Sequence, residues 1–305
     1  MAITISGSGI TSSQIEADGI NGSKIADNSI GIEHLEDDAV GVAELSASGT
    51  ASSSTYLRGD NSWATISAGV ETNLTATSNI GLGANAVDSI TTGDYNVGIG
   101  DDAMTATTEG GYNVAVGHEA MKANTTGGNN VSIGDSSMEA NTTGSNNVAV
   151  GRGAFTVNTT GSANTAVGKG SLDANTTANH NTALGYIALG ENSTGTQNTA
   201  LGSEALENNT TANNNVAVGY NALKTNTTGT ENVAVGTEAL NTNVTGIENT
   251  AVGHKALTTN TGDANVAVGR ESLKANTSGG NNVAVGWAAL LDNTKIGRAS
   301  CRERV

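Results

Sequence analysis

There is no proline in this sequence, and Cys301 is its only cysteine. The first absence, with no Gly-X-Y period, excludes a collagen-like chain. The second excludes a disulfide framework. Aromatic residues make up 3% of the chain, too few for the core of an ordinary globular enzyme. Basic residues are scarce: 13 Lys and Arg stand against 29 Asp and Glu, a formal charge of −16. Nucleic acid is therefore not an expected partner. No stretch is apolar enough to span a membrane as a helix. The start, Met1-Ala2-Ile3-Thr4-Ile5, lacks the basic and apolar regions of a signal peptide, so none is expected.

Catalytic motifs are missing too. No GxSxG, HExxH, CxxC or P-loop occurs. The G-x-G phrases at Gly81-Leu82-Gly83 and Gly98-Ile99-Gly100 lie inside strand-like text rather than before a helix. The four histidines, His34, His118, His180 and His254, are scattered. His118 and His254 are eight repeats apart, about 38 Å at inter-strand spacing, and cannot share a metal within one chain. Asp101-Asp102 beside a turn would suit a calcium ion, though a solvated corner explains them as well. The expectation is a non-enzyme with no cofactor and no metal.

What is present is repetition. The phrase NVAVG or a variant begins at Asn79, Asn96 and Asn113, and recurs to Asn282, thirteen copies in all. The step is 17 residues except between Asn249 and Asn265, where it is 16. So short a fixed period marks a solenoid. The consensus unit reads N-[VT]-A-[VIL]-G-x-x-A-L-x-x-N-T-T-G-x-x. Its first five residues alternate as a strand does. Position four is always Val, Ile or Leu, which places Val218 in an inward row. Position three is always Gly, Ala or Ser, as if a second layer lay close against that side, so that both strand faces are covered. Position five is always Gly, for a positive φ or a close backbone approach. Position nine is a second apolar row, running from Val87 to Leu290. N-T-T-G is a turn. Asn at positions one and twelve should form ladders of side-chain amides. Positions six to twelve fit a turn, a short helical segment or a second strand, with a lean towards the first two.

The predicted fold is all-β: a parallel β-solenoid or β-roll of about thirteen coils over residues 79–294. At roughly 4.8 Å per layer it would be about 62 Å long. Residues 1–49 form an N-terminal fibre region whose ten-residue repeats, such as INGSKIADNS and IGIEHLEDDA, carry two sparse apolar rows. Such rows suit a multimeric fibre or a flexible acidic linker. Residues 50–78 are a Ser/Gly/Thr-rich connector. Arg58-Gly59-Asp60 within it reads as a turn or a chance tripeptide. Residues 295–305, KIGRASCRERV, break the repeat in mid-unit and read like a translated sequencing adapter. The expectation is that they are not native.

The ten-residue units with SKIADNSI, followed by GTASSSTYLRGDNSW, resemble segments of bacteriophage tail-fibre proteins. The NVAVG units are similar to the head repeats of YadA-like trimeric autotransporter adhesins, although those units are typically 14 residues long. The resemblance implies a homotrimer, a virion location, contact with other tail components, and attachment to a host cell-surface glycan or envelope protein. The alternative is a bacterial surface adhesin of the autotransporter type; a fibre-borne glycan hydrolase would need paired acids that do not stand out. Receptor contact would fall on the variable sixth position: His118, Arg152, Lys169, Tyr186, Tyr220, His254, Arg270 and Trp287. These types stack on sugars or dominate interfaces. Ala84, Ser203 and Thr237 occupy the same row, as a merely solvated corner would allow.

Overall fold

The computed structural model describes residues 55–57, 63–65 and 78–295. The ten-residue repeats, Arg58-Gly59-Asp60 and nearly all of the terminal KIGRASCRERV segment lie outside the described residues. The chain divides into two units, residues 1–67 and 68–305. In the first, β1 (Thr55–Leu57) pairs antiparallel with β2 (Trp63–Thr65), so the connector contains a strand pair.

The second unit is the solenoid. Thirteen three-residue strands, β3 (Ile80–Leu82) to β15 (Val283–Val285), form one parallel sheet in strict chain order. Each strand covers positions two to four of its unit. Register is one repeat, as in Val216↔Val233, Ala217↔Ala234 and Val218↔Val235. The 16-residue unit is absorbed without a slip: Thr250 still pairs with Val266. The missing residue comes from the turn, where Asn260 Nδ2 reaches Gly262 O at 2.7 Å, two residues on instead of three.

The strand's orientation corrects the expected core. Position three, not position four, points inward. Ala115, Ala149, Ala183 and Ala217 are fully buried, whereas Val218 is half-exposed and Leu184 is exposed. The reason is the narrowness of the coil. A Cβ added at Gly98, already in the third row, would lie 2.8 Å from Val87 Cγ1. Only a small side chain fits in this row, Gly, Ala or Ser; the volume is filled from the far wall by position nine, where Met121, Phe155, Leu189 and Leu223 are fully buried. Ala at position eight completes the interior. Close packing at this scale leaves no room for valine on both sides.

Positions six to twelve form turns; among the described residues they hold neither helix nor strand. Ala, Leu, Glu and Lys favour helix there, yet the backbone enters the left-handed region twice per coil. Asn221 has φ 56° and Leu223 has φ 51°. Position seventeen does so again, as at Asn214, φ 59°. A bulky residue in this region is costly, and each is held by a bond to the adjoining coil. Leu223 N donates to Ala239 O at 3.0 Å and Asn221 N to Ser203 O at 3.2 Å. At position five both expected reasons for glycine hold. Gly219 has φ 131°, and a Cβ there would lie 2.7 Å from the carbonyl carbon of Gly236.

The two asparagine rows are buried and bonded in different ways. At position twelve the amides form a ladder: Asn209 Nδ2 donates to Asn192 Oδ1 at 2.8 Å, and Asn226 Nδ2 to Asn209 Oδ1 at 3.0 Å. At position one the side-chain oxygen accepts the next coil's backbone N–H, as Asn215 Oδ1 does from Asn232 N at 2.9 Å, and in several coils the next side-chain amide as well, as from Asn232 Nδ2 at 3.2 Å. Both rows converge on one carbonyl per coil. Asn215 Nδ2 and Asn226 Nδ2 both donate to Gly229 O, at 2.8 and 2.9 Å, using its two lone pairs. The twelfth-position ladder breaks at the shortened unit, where Asn243 Oδ1 is buried without a partner.

Candidate functional site

The sixth position follows the turn glycine and forms one row along the stack. Its carbonyls accept from position seven of the following coil, as Tyr186 O does from Glu204 N at 2.9 Å. His118, Arg152, Lys169, Tyr186, Tyr220, Arg270 and Trp287 are exposed; His254 is half-buried. Several engage nearby side chains, most of them in adjoining coils. His118 Nδ1 lies 3.2 Å from Asp135 Oδ1, and Arg152 Nε lies 3.4 Å from Asp135 Oδ2. Lys169 Nζ stands 5.9 Å from the centre of the Tyr186 ring. Arg270 Nη2 meets Glu271 Oε1 at 3.5 Å.

Asp101 and Asp102 tie coils together. Asp101 Oδ1 accepts from Ala84 N, and Asp102 Oδ1 from Asn85 Nδ2, both at 2.9 Å. Asp102, His118 and Glu119 bring ligand atoms within 4.8 Å of one another. Glu119 also holds Lys122, whose pKa is raised chiefly by that hydrogen bond, against the effect of desolvation. The cluster has the chemistry of a surface ion-pair network.

Position ten carries more structure than its variability suggests. Lys224 Nζ donates to Glu204 Oε2 and lies 3.1 Å from Glu207 Oε2. The bond to Glu204 raises the lysine pKa above 10.5; desolvation opposes it and Glu207 adds to the rise. A raised folded pKa gives stabilisation that is complete below the unfolded value and fades as pH climbs through the folded one. By its variability alone the tenth position reads as tolerant, with Lys224→Asp nearly neutral; the contacts say otherwise. The substitution places a third carboxylate beside two, and is expected to cost about 1–2 kcal/mol at low salt and less at high salt. Lys224→Met should cost less than half as much. Urea midpoints of both variants at two salt concentrations test this; equal, salt-independent midpoints would show that the cluster is inert.

Two features escaped the sequence reading. Tyr95 and Tyr112 stack with ring centroids 4.9 Å apart at position seventeen, one turn before the strand. Around Tyr186, Ile187 and Gly190 interrupt rows that are mostly polar. The signal for both was a departure from the unit at its variable positions.

No protein-family model matches this chain, and no curated protein is similar to it. Fold and surface together define a class: a repeat protein built as a parallel β-solenoid, with a varied polar and aromatic row at one corner.

Proposed function

We propose that the chain is a structural and adhesive fibre component, homotrimeric, of a phage virion, attaching to a host-surface glycan or envelope protein. The observation that carries the reading is the outer face of the sheet. Positions two and four leave rows of Val, Thr, Ile and Leu that the chain's own coils do not cover: Ile99 is 38% exposed, Leu184 43% and Leu201 42%. A continuous apolar face on an acidic chain marks an interface. Its regular spacing suits further copies of the same stack, and a closed symmetric assembly buries it without leaving an open edge. The tail-fibre resemblance of the N-terminal repeats favours the virion over a bacterial surface adhesin.

Light scattering on the purified chain should give three times the 30.3 kDa monomer mass. The trimer should adsorb to host cells, and replacing Tyr186, Tyr220, Arg270 and Trp287 together by Ser should abolish adsorption while leaving the circular dichroism unchanged. A monomer in solution sinks the fibre reading; full adsorption by the fourfold variant sinks the stripe as the contact.

A further inference from the structure

At one point along the stack the outer corner opens into a groove of about 300 Å³, lined by Lys169, Asp173, Tyr186, Ile187, Gly190 and Glu191 among others. It exists because two side chains are missing. Position ten elsewhere carries Lys122, Glu139 or Lys224; at Gly190 it carries nothing. Position seven is likewise bare at Gly170. Ile187, the branched aliphatic of an otherwise mostly polar row, spreads across both gaps. A Cβ on Gly190 would lie 2.6 Å from Ile187 Cγ2, and one on Gly170 would lie 3.6 Å from Ile187 Cγ1. The isoleucine is thus an apolar floor. Tyr186, 46% exposed, is an aromatic wall. Lys169 stands over its ring, and the Asp173 and Glu191 carboxylates are exposed at the rim.

A ligand for this place must offer an apolar face to Tyr186 and Ile187. It must also present several groups that donate to carboxylates and accept from an ammonium. Two rim carboxylates against one lysine disfavour an anion. Lys169 above the ring disfavours a cation there. A neutral pyranose meets every condition: one C–H face is apolar, and the ring edge carries hydroxyls that both donate and accept. We propose that this groove binds a neutral pyranose unit of a glycan. The proposal deepens the attachment role above and rests on it for its biological setting.

Saturation-transfer NMR on the full chain tests it, with the methyl glycosides of glucose, galactose, mannose and N-acetylglucosamine as probes and methyl glucuronide as the anionic control. Transfer to at least one neutral glycoside is expected, with weaker transfer to the glucuronide. Tyr186→Ser should weaken binding at least about tenfold, the scale of a lost stacking contact. Gly190→Thr should close the groove with the same loss. Thr105, Thr156 and Thr258 occupy that row in other coils, but here the new Cβ must displace Ile187, so the variant is scored only once its circular dichroism and melting temperature match the parent. Tyr112→Ser should bind as the parent does, since that exposed tyrosine lies at position seventeen, outside both the varied row and the groove. No transfer to any neutral probe, transfer to the glucuronide as strong as to the neutral sugars, or unchanged binding by Gly190→Thr overturns the proposal. Neither cells nor oligomeric state enters the measurement, so its failure leaves the fibre reading intact, and a monomeric or non-adsorbing chain leaves the sugar result intact.

Discussion

Ala217→Asp is expected to destroy the middle of the solenoid, while Val218→Asp, one residue on, leaves the coil folded and separates the subunits of the proposed trimer. Ala217 is fully buried between the facing wall and the strands above and below. A carboxylate there has no cation and no room. Burying it unpaired costs on the order of several kcal/mol, a large part of any domain's stability. Each coil touches only its neighbours, so the damage divides the stack in two. Val218 points to the opposite face. The same charge there stays solvated in the single chain, and its cost falls on association. Circular dichroism with hydrogen exchange should show lost protection from β10 (Thr199–Leu201) to β12 (Val233–Val235) for the first variant alone. Light scattering should show a monomer for the second. Equal losses of melting temperature in both would show that the inside and outside of the strand are misassigned.

Asn215→Ala is expected to lower stability by about 2–4 kcal/mol, and more than Asn209→Ala does. Asn215 Oδ1 is the acceptor for the buried backbone N–H of Asn232, which alanine leaves without a partner. The Gly229 carbonyl keeps its second donor, Asn226 Nδ2. Asn209 bonds only side-chain amides and the Ala212 carbonyl. Its removal orphans no backbone donor, and Asn226 keeps Gly229. Urea unfolding of both variants decides the order; an Asn209→Ala cost equal to or above that of Asn215→Ala would mean the first-position row is not what holds backbone to backbone.

The period was enough to read the sheet order, the register and both asparagine rows, because a fixed step stacks like on like. The direction of the strand was not legible in the same way. Alternation says that Val216 and Val218 share a face and Ala217 takes the other, but not which is inside. Hydrophobicity points to the valines; the width of the coil decides for alanine. The left-handed turns were hidden for a related reason. Nothing in Ala222-Leu223 announces φ 51° at leucine, and local propensity argues for helix. Only the bond from the next coil makes that conformation the better one. The groove at Tyr186 was half visible: the tyrosine stood in the varied row, while the glycine that opens the space lies four residues on in a row that the sequence marks only as variable and tolerant.

The hydrogen bonds that join coils run almost wholly between residues one repeat apart. Sequence separation is therefore constant however many coils are present. Loop closure then costs the same at the twelfth coil as at the second. A chain of this kind folds by nucleating a pair of coils and zipping outward, at a speed set by local contacts rather than by total length. Each formed strand is the template for the next. Adding repeats lengthens the stack without adding a slower folding step, and a coil can be laid down as soon as its 17 residues have been synthesised.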